Sequence, residues 1–408
     1  MYTRHLSVAD FRSWTIAELP LTPGINVLVG RNGVGKTNLV EALGYLATLS
    51  SHRVSGDVPL IRRGAERAIV RAAVVHESRE LMLEVEITAG KANRARLNKS
   101  PLTRPRDMLG ILRTVLFAPE DLALVRGDPS ERRRYLDEVL IMRAPRFAGI
   151  KSDYDRALKQ RNSLLKSAGA ARRAGGGDLS TLEVWDEQLA GYGATLLAAR
   201  LALVDEIRPH VAAAYADLAP TSAPADLMYR SSLGAALPAG GTEDDLRAAY
   251  LEEMQRLRRA ELERGISLVG THRDDVDLIL GPGLAKGYAS HGESWSFALA
   301  LKMGGFGLLR SDGVDPVLIL DDVFAELDSS RRSRLASLVA DADQVLITAA
   351  VGADVPSELA GAQYLITEGA VTAVIKHPAP GEMESDQMMP TQITSAQMTP
   401  AHMMEDKE

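Results

Sequence analysis

The residues with the plainest chemical purpose lie between positions 30 and 37. Gly30, Arg31, Asn32, Gly33, Val34, Gly35, Lys36 and Thr37 follow the pattern Gly-x4-Gly-Lys-Thr. Glycines at this spacing let successive backbone N–H groups wrap an anion, and a helix starting just behind them adds partial positive charge. Lys36 has the reach to meet β- and γ-phosphates, and the Thr37 hydroxyl suits a Mg2+ ion. Asp321 and Asp322 follow the apolar run Val317-Leu318-Ile319-Leu320. A buried strand therefore delivers both acids to its C-terminal end, where the ligands of parallel sheets sit. Asp321 is the expected Mg2+ partner, directly or through water, and Asp322 the group that orients or deprotonates an attacking water. Ser290 and Gly292, just ahead of the helical run that starts at Ser294, offer a second anion-binding surface. One triphosphate does not need two such surfaces in one chain, so the second is expected to serve a partner's nucleotide.

The elements around these groups read as follows. Residues 24–30 form a buried strand and 36–50 a helix, whose Leu39, Val40, Leu43, Leu46 and Ala47 share one face. Short antiparallel strands fill 69–97. Beyond about residue 120 the character turns helical. Leu182, Trp185, Leu189, Tyr192, Leu196, Ala199 and Leu203 step by three and four, a seam of about three heptads weakened by Gly191 and Gly193. A helix over 243–264 ends at Gly265, a C-cap residue type. Strands at 315–324 and 343–350 enclose a helix at 329–340, an order that implies a parallel sheet, and 363–375 reads as a closing hairpin.

Composition removes several classes of function. The chain has 408 residues and no cysteine, which excludes disulfides, cysteine–zinc sites and thiol nucleophiles. A reducing cytoplasm fits this. No run of about 18 apolar residues occurs, so no membrane span is expected, and the N-terminus lacks a signal peptide's apolar stretch. His52 and His272 have no companions at metal-ligand spacing. The net charge of −7 means that any nucleic-acid contact needs a local basic surface. One exists: Arg126 to Arg173 holds 13 Lys/Arg against six Asp/Glu, a balance of +7, and includes Arg132, Arg133 and Arg134. Such an excess neutralises phosphates without reading bases. Three consecutive helical arginines point to different faces, so one is expected to turn toward the core or a salt bridge. No aromatic-and-basic stripe suggests a single-strand platform, which favours duplex or junction backbone. Residues 377–408 carry six acids, one lysine and six methionines with no aromatic residue, and are expected to be disordered.

Taken together, LSVADFRSW, the phosphate loop, TVLFAPEDLALVRGDPSERRRYLDEVL at 114–140, GTHRDD at 270–275, YASHGES and LILDDVFAELD at 318–328 occur in the order of a known family. The chain resembles an ABC-type ATPase head of the SMC and RecF group over about residues 1–375. The resemblance implies an α/β fold: a P-loop head with a mixed sheet, plus a helical lobe with a short coiled-coil-like arm. It implies an ATPase lobe of 1–115 with 311–376, a helical lobe of 116–310, and a tail of 377–408. ATP and Mg2+ are the implied ligands, with Gly30 to Thr37 binding the nucleotide. Ser290 and Gly292 become signature residues that clamp the γ-phosphate on the opposing copy of an ATP-sandwiched homodimer. Asp328 falls at the aspartate of the D-loop, which crosses that interface. Glu120 stands where relatives use a metal-sensing Gln, and Thr348 is a candidate γ-phosphate sensor.

The family also implies binding to gapped duplex or single-strand/double-strand junction DNA, with RecO and RecR as partners in loading a recombinase. Two departures stand out: Glu293 where many relatives carry Gln, and Asp322 where many ABC ATPases place Glu, which suggests slow turnover. A transporter ATPase would show a Gln after the central sheet and a His after the second-motif strand, and neither is evident. A structural SMC head or a non-hydrolysing ATP-binding scaffold are the remaining alternatives.

Overall fold

A computed structural model describes residues 1–173 and 180–374, so the tail expected at 377–408 lies outside the described residues. The chain opens with strands β1 (Tyr2–Phe11), β2 (Trp14–Pro20) and β3 (Gly24–Val29), then helix α1 (Lys36–Thr48). Strands β4 (Arg67–His76), β5 (Arg79–Thr88), β6 (Arg94–Leu97), β7 (Ser100–Pro101) and β8 (Thr114–Phe117) follow. The helical stretch comprises α2 (Ala123–Arg126), α3 (Pro129–Arg143), α4 (Arg146–Arg173) and α5 (Ser180–Leu218). After β9 (Ala225–Arg230), α6 (Glu243–Arg264), β10 (Asp275–Leu280) and β11 (Gly283–Leu284) comes α7 (His291–Ser311). The chain closes with β12 (Val317–Asp321), α8 (Ser329–Val339), β13 (Gln344–Ala349), β14 (Ala362–Thr367) and β15 (Ala370–Val374).

The central sheet runs β15-β14-β3-β13-β12-β8, parallel except for the β14–β15 hairpin. Strands β12 and β13 are buried at every residue, as the interior of a parallel sheet requires, and each carries a run of Val, Ile and Leu, at 317–320 and 345–347, for that reason. Alternation sends Val317 and Ile319 into one core while Leu318 and Leu320 enter the other. The register sets Asp321 opposite Thr348 and Ala349 opposite Val29, so β3, β13 and β12 end level with one another. The phosphate loop after β3 and the acids after β12 are thereby brought to one edge.

A second, antiparallel sheet of order β2-β1-β4-β5-β6-β7 covers α1 from the other side. This explains why α1 is buried well beyond the one face its spacing predicts, with Glu41, Ala42, Gly44 and Tyr45 also inside. The helical stretch packs on the opposite face of the central sheet, where α5 lies against α4, α6 and α7. Gly191 and Gly193 do not interrupt α5, which runs for 39 residues. A side chain at Gly193 would start 3.3 Å from the ring of Tyr154 on α4 and 3.4 Å from that of Tyr250 on α6. The glycine thus lets two aromatic rings from different helices close onto one turn of α5, and this packing outweighs its low helix propensity. The seam therefore joins several helices instead of one coiled-coil partner. Helix α6 ends as expected, with Gly265 at φ 68° donating its N–H to the Glu261 carbonyl. Among the described residues no helix is long and apolar enough to cross a membrane.

Candidate nucleotide site

The phosphate loop turns between the end of β3 and the start of α1. Gly35 sits at φ 103°, and a side chain there would begin 2.7 Å from the indole nitrogen of Trp14, which donates to the Gly35 carbonyl at 3.0 Å. Only glycine satisfies both the left-handed backbone and this approach. Gly30 is tied to β13 by its N–H to the Ala349 carbonyl at 3.2 Å. Lys36 is buried, and its ammonium donates to the carbonyls of Gly30 at 2.6 Å and Arg31 at 3.2 Å, curling the loop around its own lysine. The loop therefore has the curvature, the helix N-terminus and the cation that a polyphosphate needs.

Beside it stand the two acids. Thr37 donates its hydroxyl to Asp321 Oδ1 at 3.1 Å. Thr348 donates to the same oxygen at 2.6 Å and accepts the Asp322 N–H at 2.9 Å. Asp322 itself adopts φ 55°, a left-handed conformation that is strained for a side-chain-bearing residue and recurrent at functional sites. The Asp321 carboxyl is raised to about 6: burial and the charges of Asp322 and Glu120 push it up, and together outweigh the hydrogen bonds from Thr348 and Thr37 that pull it down. Glu120, exposed on the turn after β8, is thus placed near the acids because β8 pairs with β12 in parallel. A buried carboxylate, a neighbouring hydroxyl and an excess of negative charge form a hard-oxygen donor set that fits Mg2+.

The groove here is lined by Asn32, Gly33, residues 35–38, Arg53 and Asp322. Ser290, Gly292 and Asp328 do not line it. Ser290 caps α7 instead: its hydroxyl oxygen accepts the Glu293 N–H at 3.2 Å, and its own N–H donates to the Glu293 carboxylate at 2.9 Å. The Glu293 carboxyl is held below its usual range by the Ser290 side chain and backbone, with help from Arg331. The negative charge that departs from the family pattern is thus absorbed by the cap. Asp328 caps α8 by accepting the Arg331 N–H at 2.9 Å, and pairs with the Arg331 guanidinium at 2.7 Å. That guanidinium also lies against Gly292, so Arg331 joins the signature turn to the segment holding Asp328.

Sequence reasoning missed Arg53, Glu41 and Arg331. Glu41 is fully buried on α1; burial opposes its charge, but bonds from Arg12 and Ser51 outweigh this and lower its pKa. It holds Arg12 at 2.8 and 2.5 Å and Arg53 at 3.4 Å, and so steadies an arginine at the rim of the groove. The available signal was an acid amid the apolar positions of α1, a placement that calls for a cationic partner.

The arginine triplet needs a correction. Arg132 is buried, bonded to Asp275 at 2.7 and 3.0 Å and to the Leu124 carbonyl at 2.9 Å, so it is an internal tie between α3 and β10 with no surface for DNA. Arg133 is half-buried and donates to the Asp274 carbonyl at 2.7 Å. Arg134 is exposed, paired with Glu131 at 2.7 Å. His272 is buried against the Tyr154 hydroxyl at 2.7 Å, and burial lowers its pKa to about 4.

The family model described as the RecF/RecN/SMC N-terminal domain matches residues 2–356. The chain is 59% identical to the DNA replication and repair protein RecF of Frankia alni, over 91% of this chain and 99% of that one. It is 58% identical to the same protein of Streptomyces avermitilis, over 92% and 100%. A solved structure of the recombination mediator protein RecF with ATP, in the RecFOR pathway, is 27% identical with a TM-score of 0.83, covering 92% of this chain and 98% of that one. An Smc head bound to the C-winged helix domain of ScpA is 17% identical with a TM-score of 0.51, over 92% and 97%, a likeness of fold alone.

Proposed function

The chain belongs to the RecF family of DNA replication and repair proteins, within the wider RecF/RecN/SMC group, and from that premise we propose that it works as an ATP-gated dimeric switch on DNA. ATP lies along Gly30–Thr37, with Lys36 moving from the loop carbonyls to the β- and γ-phosphates. Thr37 and Asp321 hold Mg2+, which supplies neutralisation of phosphate charge when bound. Asp322 orients the attacking water. Ser290 and Gly292 of a second copy close over the terminal phosphate, and Asp328 crosses the interface.

The observation that carries this reading is the separation just described: the groove holding the phosphate loop and Asp322 includes none of Ser290, Gly292 and Asp328. An exposed helix N-terminus, unused by its own chain's phosphate loop, suits a neighbour's anion. Contacts made only in the closed dimer give ATP its differential affinity for that state, which is what shifts a population. The ATPase lobe of 1–115 with 311–376 then carries the phosphate loop, and the helical lobe of 116–310 the signature.

The DNA expected on this reading is gapped duplex or a single-strand/double-strand junction, with RecO and RecR as co-workers in the cytoplasm. Sedimentation of the chain with labelled gapped DNA, with and without ATP and Mg2+, tests it. A dimer on DNA only with both ligands supports the switch; a mass unchanged by nucleotide removes it. Phosphate release in the same samples separates a slow ATPase from a non-hydrolysing scaffold.

A further inference from the structure

The groove of the phosphate loop does not end at its rim. Asn38 and Arg53 also line a second hollow, and Arg62 and Gly64 carry that one into a third. The second and third hollows are lined by seven Lys/Arg side chains against Asp10, Glu66 and Glu86. Four of the seven are held by acids: Arg12 and Arg53 by Glu41, Arg62 by Asp10 at 2.7 Å, and Arg67 by Glu86 at 3.4 Å. The other three, Arg63, Lys91 and Arg94, are exposed and pair with no acid among the described residues. Their backbone is fixed. Arg62 donates its N–H to the Asp10 carbonyl and Arg12 to the Leu60 carbonyl, each at 2.7 Å, which ties the loop ahead of β4 to β1. Lys91 closes the turn after β5 on the Thr88 carbonyl at 3.2 Å. A preformed groove thus presents three cations without counter-charge.

The chain carries such a counter-charge itself. Residues 377–408 hold six acids and one lysine, the acids in two groups: Glu382, Glu384 and Asp386, then Glu405, Asp406 and Glu408. The two RecF relatives are matched over 99% and 100% of their own length yet leave 9% and 8% of this chain unmatched, about the share these 32 residues hold. The preceding strand lies in the same half of the molecule as the groove, since Val371 and Ala373 of β15 pack on the core that contains Ala68 and Val70 of β4. At about 3.3 Å per residue, the 31 residues from Val374 to Glu405 span up to roughly 100 Å, against about 33 Å for the ten residues of β4. Both acidic groups are therefore tethered within reach. A tether of this kind holds them at an effective concentration of about a millimolar, so exposed ion pairs too weak to retain a free peptide suffice here.

We propose that the carboxylates of residues 377–408 occupy this groove, pairing with Arg63, Lys91 and Arg94, and that DNA phosphates displace them on binding. The proposal rests on the DNA reading above and adds a brake to it. Groove cations that are neutralised in advance release fewer counterions when DNA arrives, which lowers both the affinity and its dependence on salt.

The chain has no cysteine, so cross-linking sites exist only where they are introduced. Ser385→Cys is combined with Ala92→Cys, which lines the groove, or with Ser163→Cys, exposed on α4, as a reference. A short bis-maleimide is expected to join the groove pair about tenfold faster than the reference pair. Gapped duplex DNA should abolish the difference, as should Arg63→Gln, Lys91→Gln and Arg94→Gln together. The full chain carrying Glu382→Gln, Glu384→Gln, Asp386→Asn, Glu405→Gln, Asp406→Asn and Glu408→Gln is then compared with the unaltered chain for DNA binding across salt concentrations. Its affinity is expected to rise about tenfold at about 50 mM salt, and its salt slope to steepen by about two to three units. Equal cross-linking of the groove and reference pairs overturns the docking. A cross-link that DNA leaves unchanged, or neutralised acids that alter neither affinity nor slope, overturns the competition. A chain that docks these residues yet binds no DNA in either form overturns the DNA reading above, and the brake with it.

Discussion

Thr348 and Asp321 face each other across the parallel β12–β13 pair, joined by a 2.6 Å hydrogen bond from hydroxyl to carboxylate. The same hydroxyl accepts the Asp322 N–H at 2.9 Å. One buried threonine therefore positions Asp321, the acid proposed to hold Mg2+, through its side chain, and Asp322, the acid proposed to orient water, through its backbone. In this structure its hydroxyl serves the acids, and a role as γ-phosphate sensor would require exchanging those bonds.

Thr348→Val keeps the shape of that contact and deletes the hydroxyl. Outer partners of a metal ligand are commonly worth ten- to a hundredfold in affinity. The expected result is a loss of about that size in Mg2+-dependent ATP binding, read by titration calorimetry. Full-strength binding in the variant would separate Thr348 from the metal site.

Asp321 gives a pH signature. Its carboxyl is raised to about 6, chiefly by burial, against an ordinary value of 3.8. The folded chain thus holds this proton more tightly than the unfolded chain does. Asp321's contribution to stability is fully present below about pH 4 and is lost as pH rises through 6. Asp321→Asn should therefore stabilise the nucleotide-free protein at pH 7.5, by on the order of 1–3 kcal/mol, while abolishing Mg2+-dependent nucleotide binding. A thermal melt without any gain at pH 7.5 would contradict the buried charge.

Asp322→Asn should leave ATP binding in place and reduce phosphate release by a factor on the order of 100 or more, since a positioned general base contributes about that much. Closed dimers should then accumulate with ATP. Unchanged turnover would strip Asp322 of its assigned role.

Lys36→Ala and Ser290→Arg should fail at different steps. The first is expected to lose nucleotide affinity in the monomer; the second should bind ATP as a monomer and fail to dimerise. If Ser290→Arg chains still associate with ATP as the unaltered chain does, the trans clamp is wrong.

Arg132 and Arg134 should separate stability from DNA affinity. Arg132→Ala leaves Asp275 buried with its principal partner gone, an expected loss of about 3–5 kcal/mol in denaturant unfolding. Arg134→Ala should stay within about 0.5 kcal/mol of the parent stability. Its DNA binding should weaken uniformly across sequences and lose about one unit of salt slope. An unchanged salt slope would take Arg134 out of the DNA surface.

The phosphate loop, the paired acids and the serine-and-glycine start of α7 were legible in the sequence because their chemistry is local, whereas the cap that Asp328 gives α8 was not read there. A glycine spacing, a buried strand ending in two carboxylates, or a Ser three residues ahead of a Glu states its own geometry within one or two turns of backbone. The roles of Arg132, Arg53, Arg331 and Thr348 were decided only in three dimensions. Each depends on a partner from another element: Arg132 on Asp275 in β10, Arg53 on Glu41 of α1, Arg331 on Gly292 of α7, and Thr348 on Asp321 across the sheet. Three adjacent arginines on a helix look alike in one dimension. Folding gave one to the core, one to a backbone carbonyl and one to solvent, because helical residues one apart point about 100° away from each other and only the packed neighbours determine which direction is inside.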